Sequence, residues 1–123
     1  MMLRRKMVIT LALVLVAGCA QVRRAERSPE TDALLQAARA GHADTVKGLL
    51  AGGKADVNGR DGRGNTPLIE AARAGHDDVV RALLLARADA RAKNDEGQTA
   101  LSAAARGGHD EIVALLRQAG ASD

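Results

Sequence analysis

The sequence has no phenylalanine, tryptophan or tyrosine among its 123 residues. A core must then be assembled from leucine, valine, isoleucine and alanine through many small contacts. A stack of short helices achieves this more readily than a single round core. The same absence removes the aromatic side chains that often dominate binding hot spots, so recognition by this chain is expected to be polar, salt-sensitive and modest in affinity. Cysteine occurs once, at Cys19, which leaves no pair for an internal disulfide. No apolar run reaches the roughly 20 residues that a membrane-spanning helix needs; the run from Met7 to Ala17 has 11. Nor is there a usable excess of positive charge. The formal charge is +3, but Arg4, Arg5 and Lys6 account for it, and the remaining 15 Lys and Arg residues match 15 Asp and Glu residues. Phosphate-driven affinity has no source in such a chain, which argues against nucleic acid as a partner.

What is present begins with a leader. Arg4, Arg5 and Lys6 precede the short apolar run, in the order of a signal peptide. The run ends Val16-Ala17-Gly18-Cys19. This resembles the lipobox of bacterial lipoproteins: an aliphatic residue, two small residues, then the cysteine whose sulfur carries the diacylglyceryl group. The resemblance implies cleavage after Gly18 and acylation of Cys19, which leaves no free thiol in an oxidising compartment. A plain secretory signal with an incidental cysteine is the alternative. Two or more acyl chains anchor stably where one binds only marginally. The residue after the cysteine is Ala20 rather than Asp, which by the same resemblance favours the outer membrane. Residues 20–30 are polar and read as a tether, with Arg23, Arg24 and Arg27 available to anionic head groups.

The rest of the chain repeats. Gly41-His42, Gly75-His76 and Gly108-His109 recur at intervals of 34 and 33 residues and contain all three histidines. A period near 33 marks stacked helical repeats. Other residues fall into the same register. Asp32-Ala33-Leu34, Thr66-Pro67-Leu68 and Thr99-Ala100-Leu101 each read as the opening of a short helix, with Asp or Thr as cap. The alanine pairs 37–38, 71–72 and 103–104 allow helices to approach closely. The glycines at 41, 75 and 108 suit a left-handed residue at the helix end. Asp44, Asp78 and Glu111 then open a second helix, favourably placed against its dipole. Its apolar stripe is Val46, Leu49, Leu50; Val80, Leu83, Leu84; and Val113, Leu115, Leu116. Gly64 and Gly97 supply a positive φ in the turns between helix pairs.

These residues resemble the ankyrin repeat, whose pattern is a hairpin Asp-x-x-Gly, then Thr-Pro-Leu-His-x-Ala-Ala, then Gly-His and a leucine-rich second helix. The resemblance runs from about Thr31 to Asp123. It has departures. Leu35, Ile69 and Ser102 stand where the family carries the histidine of its first helix, Lys54 is an insertion that accounts for the longer interval, and Arg87 stands where the family prefers glycine. The resemblance implies an all-α ankyrin-repeat solenoid of three helix-turn-helix repeats with short β-hairpin loops. The expected division is a leader at 1–18, the acylated cysteine and tether at 19–30, and repeats at about 31–64, 65–97 and 98–123. The ends look adapted: the first repeat lacks a preceding hairpin, and Arg117 replaces the leucine represented by Leu50 and Leu84. A core position reading Gly48, Ala82, Leu115 makes the first repeat the softest, because an interior helical glycine costs about 1 kcal/mol relative to alanine.

Catalytic patterns are weak. Equivalent positions on stacked helices stand roughly 8–10 Å apart, so the histidine ladder cannot close around one zinc ion with ligands at about 2 Å. The histidines are expected instead to hydrogen-bond between helices. Ser28, Ser102 and Ser122 form no serine–histidine–aspartate set, and Gly62-Arg63-Gly64 lacks the rest of a phosphate loop. The expectation is no enzyme, no metal and no cofactor.

Ankyrin stacks usually bind through hairpin tips and the exposed ends of their first helices. By that resemblance the partner-binding residues are Arg39, Arg60, Arg63, Asn65, Arg73, Lys93, Asp95, Glu96, Gln98 and Arg106. Arg39, Arg73 and Arg106 share one phase of the repeat and are expected to form a basic groove suited to an acidic protein surface. The competing interpretation is a solvated face. The resulting expectation is a monomeric protein of the bacterial cell envelope, anchored through lipid on Cys19 to the outer membrane and facing the periplasm. It would hold or inhibit a partner protein as an adaptor or inhibitor. The alternative is a structural or stress-related envelope lipoprotein that contacts lipid or polysaccharide.

Overall fold

The computed structural model describes residues 27–121. The expected leader, the expected acylation of Cys19, Ala20 and the expected tether as far as residue 26 lie outside the described residues. Among the described residues six helices follow one another: α1 Pro29–Ala40, α2 Ala43–Ala51, α3 Pro67–Ala74, α4 Asp77–Leu85, α5 Ala100–Arg106 and α6 Asp110–Gln118. They pair as α1–α2, α3–α4 and α5–α6. The first helices α1, α3 and α5 stack in one layer, and α2, α4 and α6 in a second. This is an all-α solenoid of three helical hairpins. None of the described helices is long and apolar enough to cross a membrane.

Local sequence explains where the helices begin. The Thr66 hydroxyl accepts the Ile69 N–H at 3.2 Å, with Pro67 at the first helical position. Thr99 and Ser102 cap α5 reciprocally, each hydroxyl accepting the other residue's N–H. The first repeat departs from expectation. Its helix opens at Pro29, capped by the Ser28 hydroxyl, and not at Asp32. Ser-Pro supplies a cap and a preset first residue, so α1 gains about one turn. Asp32 instead pairs with Arg27.

Alanine pairs explain the closeness of the first layer. Ala38, Ala71, Ala72 and Ala104 are fully buried, and Ala37 and Ala103 nearly so. In the second layer the buried residues are Val46, Val79, Val80, Ala82, Leu83, Ile112 and Leu116. Val79 and Ile112 occupy a buried position missing from the expected stripe. The first repeat carries exposed Thr45 there, a polar residue where no repeat precedes among the described residues. Gly48 is also exposed, and a methyl group there would meet no atom within 4 Å. The expected core position therefore holds for Ala82, is half-buried at Leu115, and fails at Gly48. A terminal helix has a neighbour on one side only.

The loops differ from expectation too. No strand forms among the described residues. Asp61 N–H donates to Asn65 O at 3.0 Å, and Asn94 N–H to Gln98 O at 2.9 Å. Each loop is closed by this backbone bond and by side-chain bonds to its tip, which makes a tight turn without a ladder.

Candidate functional site

Arg39 and Arg73 sit in the last turns of α1 and α3, and Glu70 lies one turn before Arg73 on α3. Glu70 is only 4% exposed. Arg39 crosses to it, with Nε at 3.2 Å from Oε2 and Nη2 at 3.4 Å from Oε1. Arg73 Nη1 approaches Oε1 at 3.8 Å from the other side. One buried carboxylate thus lies between two arginines from successive repeats. Its hydrogen bond and charge raise the Arg39 pKa above its ordinary value. The second guanidinium nitrogen of Arg73, Nη2, donates to Asn65 Oδ1 and Gln98 Oε1, both at 3.2 Å.

Asp61 organises the first loop. Its Oδ1 accepts the N–H groups of Arg63 at 2.8 Å and Asn65 at 2.9 Å. Its Oδ2 stands 3.7 Å from Arg39 Nη2. Burial pushes the Asp61 pKa up, but the Asn65 and Arg63 hydrogen bonds and the Arg39 charge prevail and hold it below the usual carboxylate range. Asn94 does the same work in the second loop, where its Oδ1 accepts the N–H groups of Glu96 at 3.0 Å and Gln98 at 2.9 Å. The Asn94 amide also donates to Asn65 Oδ1 at 2.8 Å, and Asp95 N–H donates to Arg63 O at 3.0 Å. The two loops are therefore fixed to each other.

Two clefts lie over these loops. The first, of about 620 Å³, is lined by Arg39, Asp61, Gly62, Arg63, Asn65, Glu70, Arg73 and Ala74. The second, of about 470 Å³, is lined by Gly62, Arg63, Asn65, Arg73, Asn94, Asp95, Glu96 and Gln98. They share Gly62, Arg63, Asn65 and Arg73, so they form one groove across the two loops that join the repeats. Of the residues expected to bind a partner, Arg39, Arg63, Asn65, Arg73, Asp95, Glu96 and Gln98 line it. Arg60 does not. Its Nη1 donates to Gly64 O at 3.2 Å and to Lys93 O, clasping the two loops together. Lys93 and Arg106 are exposed outside both clefts.

The groove is not basic. Arg39, Arg63 and Arg73 line it together with Asp61, Glu70, Asp95 and Glu96. The expected run of arginines is interrupted by Glu70, and Arg106 stands apart from the groove. Glu70 was legible in principle: it precedes Arg73 by three residues, which puts both on one helical face.

Histidines hold the arginine-bearing helices from behind. His76 Nε2 lies 3.1 Å from Arg39 O, and His109 Nε2 lies 3.3 Å from Arg73 O. A carbonyl only accepts, so Nε2 carries the proton. These are the expected inter-helix bonds. His42 has no repeat before it among the described residues and is exposed. Among the described residues, no cluster of His, Cys, Asp and Glu is arranged to hold a metal ion.

The family model for ankyrin repeats, in three copies, matches the chain over residues 9–94 and again over 34–123. No curated protein matches the chain.

Proposed function

The chain belongs to the ankyrin-repeat family, whose stacks are protein–protein interaction domains, and from that premise we propose that it is an envelope adaptor or inhibitor that binds a partner protein through the groove between its first two loops. One observation carries this reading. Seven of the expected contact residues line a single groove, Arg39 and Arg73 from helices and the other five from loops locked to each other by Asn94–Asn65 and Asp95–Arg63 bonds. A surface fixed before encounter loses little conformational freedom on binding. That offsets the lack of aromatic anchors. No catalytic role enters this reading. Within the groove Arg39, Asp61, Glu70 and Arg73 serve one another as ion pairs, and Asp61 also caps its loop.

Localisation belongs to the same proposal. Acylation of Cys19 would tether the stack to the outer membrane, facing the periplasm, through a short polar segment that ends at the Ser28 cap. Confinement to a surface raises the effective concentration of the stack near its partner. This suits a binder of modest affinity.

A photocrosslinking amino acid placed at Arg63 in living cells tests the binding face. A defined protein adduct is expected from Arg63 and none from Lys47, which is exposed on α2. Equal labelling from both positions contradicts the reading. Lipid adducts alone would favour a lipid-contacting role instead. Cys19→Ala should abolish fatty-acid labelling and move the protein to the soluble fraction; retention in the membrane would refute the anchor.

A further inference from the structure

The charges along the groove are paired unevenly. Glu70 is shared by Arg39 and Arg73, and Asp61 also faces Arg39. Among the described residues, Arg63, Asp95 and Glu96 are the lining charges without an ion-pair partner. All three are exposed, on neighbouring loop tips joined by the Asp95–Arg63 backbone bond. The unpaired charges thus form a dipole along the groove, positive at the first tip and negative at the second.

We propose that the groove accepts an extended polypeptide segment carrying both an acidic and a basic side chain, and that Glu70 sets this requirement. The acidic side chain lies beside Arg63, and the basic one beside Asp95 and Glu96. This rests on the reading that the groove is the recognition face. Three arginines without their carboxylates would draw in any polyanion. Glu70 and Asp61 cancel two of those charges inside the wall. A purely acidic segment then meets Asp95 and Glu96, and a purely basic one meets Arg63; like-charge contacts of this kind reject wrong partners. Selectivity arises from what the groove repels as well as from what it attracts.

The test uses the full-length protein and three labelled peptides of one length: alternating glutamate and lysine, polyglutamate, and polylysine. Fluorescence anisotropy should rank the alternating peptide first, with each homopolymer weaker by about tenfold at low salt. Glu70→Gln keeps the side-chain shape and frees one arginine charge. It should tighten polyglutamate about tenfold and weaken polylysine. Asp95→Asn with Glu96→Gln changes only exposed loop-tip residues, so folding is not at issue. It should abolish the preference for the alternating peptide over polyglutamate. Polyglutamate binding as tightly as the alternating peptide, an unchanged ranking in both variants, or no binding by any peptide overturns the proposal. The Arg63 crosslink separates the two levels. Capture of a partner alongside a failed ranking removes the charge rule and leaves the binding face standing, whereas absence of any adduct removes both.

Discussion

Arg87 is the one described residue other than glycine with a positive φ, at 66°. It closes α4 through its N–H to Leu84 O at 3.0 Å. The same place in the other repeats is held by Gly53 at 73° and Gly120 at 89°. A side chain in the left-handed region costs about 1–2 kcal/mol, partly offset by the greater freedom glycine has when unfolded. Arg87→Gly is therefore expected to stabilise the fold by about 1 kcal/mol in chemical denaturation. Asp61 makes a prediction about pH. Its pKa is lowered in the folded state from an ordinary value of 3.8. The stability it contributes is thus fully present above that value and is lost as pH falls through the lower, folded one. Asn94 shows that an amide can hold the same loop geometry, so Asp61→Asn should fold. The variant should be less stable than wild type at neutral pH, and the gap should close in acid. A gap that persists unchanged through acid unfolding would contradict this.

Between elements, Gly41 and His76 act as a unit. Gly41 ends α1 at φ 80°, and a Cβ there would stand 2.6 Å from the His76 ring. Glycine is required twice, by the left-handed backbone and by the ring that reaches across to Arg39 O. Gly75 and His109 repeat the arrangement at 2.6 Å. Gly41→Ala should cost at least about 1 kcal/mol from backbone strain alone, and more while the ring is present. In a His76→Ala background the steric part should vanish. Thermal denaturation of the double-mutant cycle should then show the two changes coupled rather than additive. This unit was the most legible part of the sequence, because Gly-His at a fixed interval carries both needs in adjacent letters. The start of α1 was less legible: Ser28-Pro29 is a strong cap, but it lies outside the repeat register that drew the boundary at Asp32. The groove was half legible. Periodicity located Arg39 and Arg73. It could not reveal Glu70, whose equivalents are Gln36 and Ala103, so no ladder of carboxylates marks the position. A charge that occurs in one repeat is invisible to an argument from repetition.

The whole molecule is a stack whose stability depends on neighbours. Among the described residues the first repeat has one neighbour, and its second helix takes a thin share of the core. In α2 only Val46 is buried, and Gly48 is exposed within the helix. The middle repeat buries Leu68, Ile69, Val79, Val80 and Leu83. Residue-resolved hydrogen exchange should show α2 opening most readily and α3 and α4 least. Val46 to Leu50 as the most protected segment would overturn this order. The groove runs from the first repeat across the middle one to Gln98, so its floor on α3 is firm while its α1 wall belongs to the softer end. Binding across it should therefore tighten the first repeat as well as cover the loops. The most direct test of the central claim is hydroxyl-radical footprinting of the partner complex captured through Arg63, compared with the free protein. Protection is expected at 61–65, at Arg73 and at 94–98, with the exposed residues of α2, α4 and α6 unchanged. Protection confined to α2, α4 and α6, with the loop tips as reactive as in the free protein, would contradict the claim that this chain works through its groove.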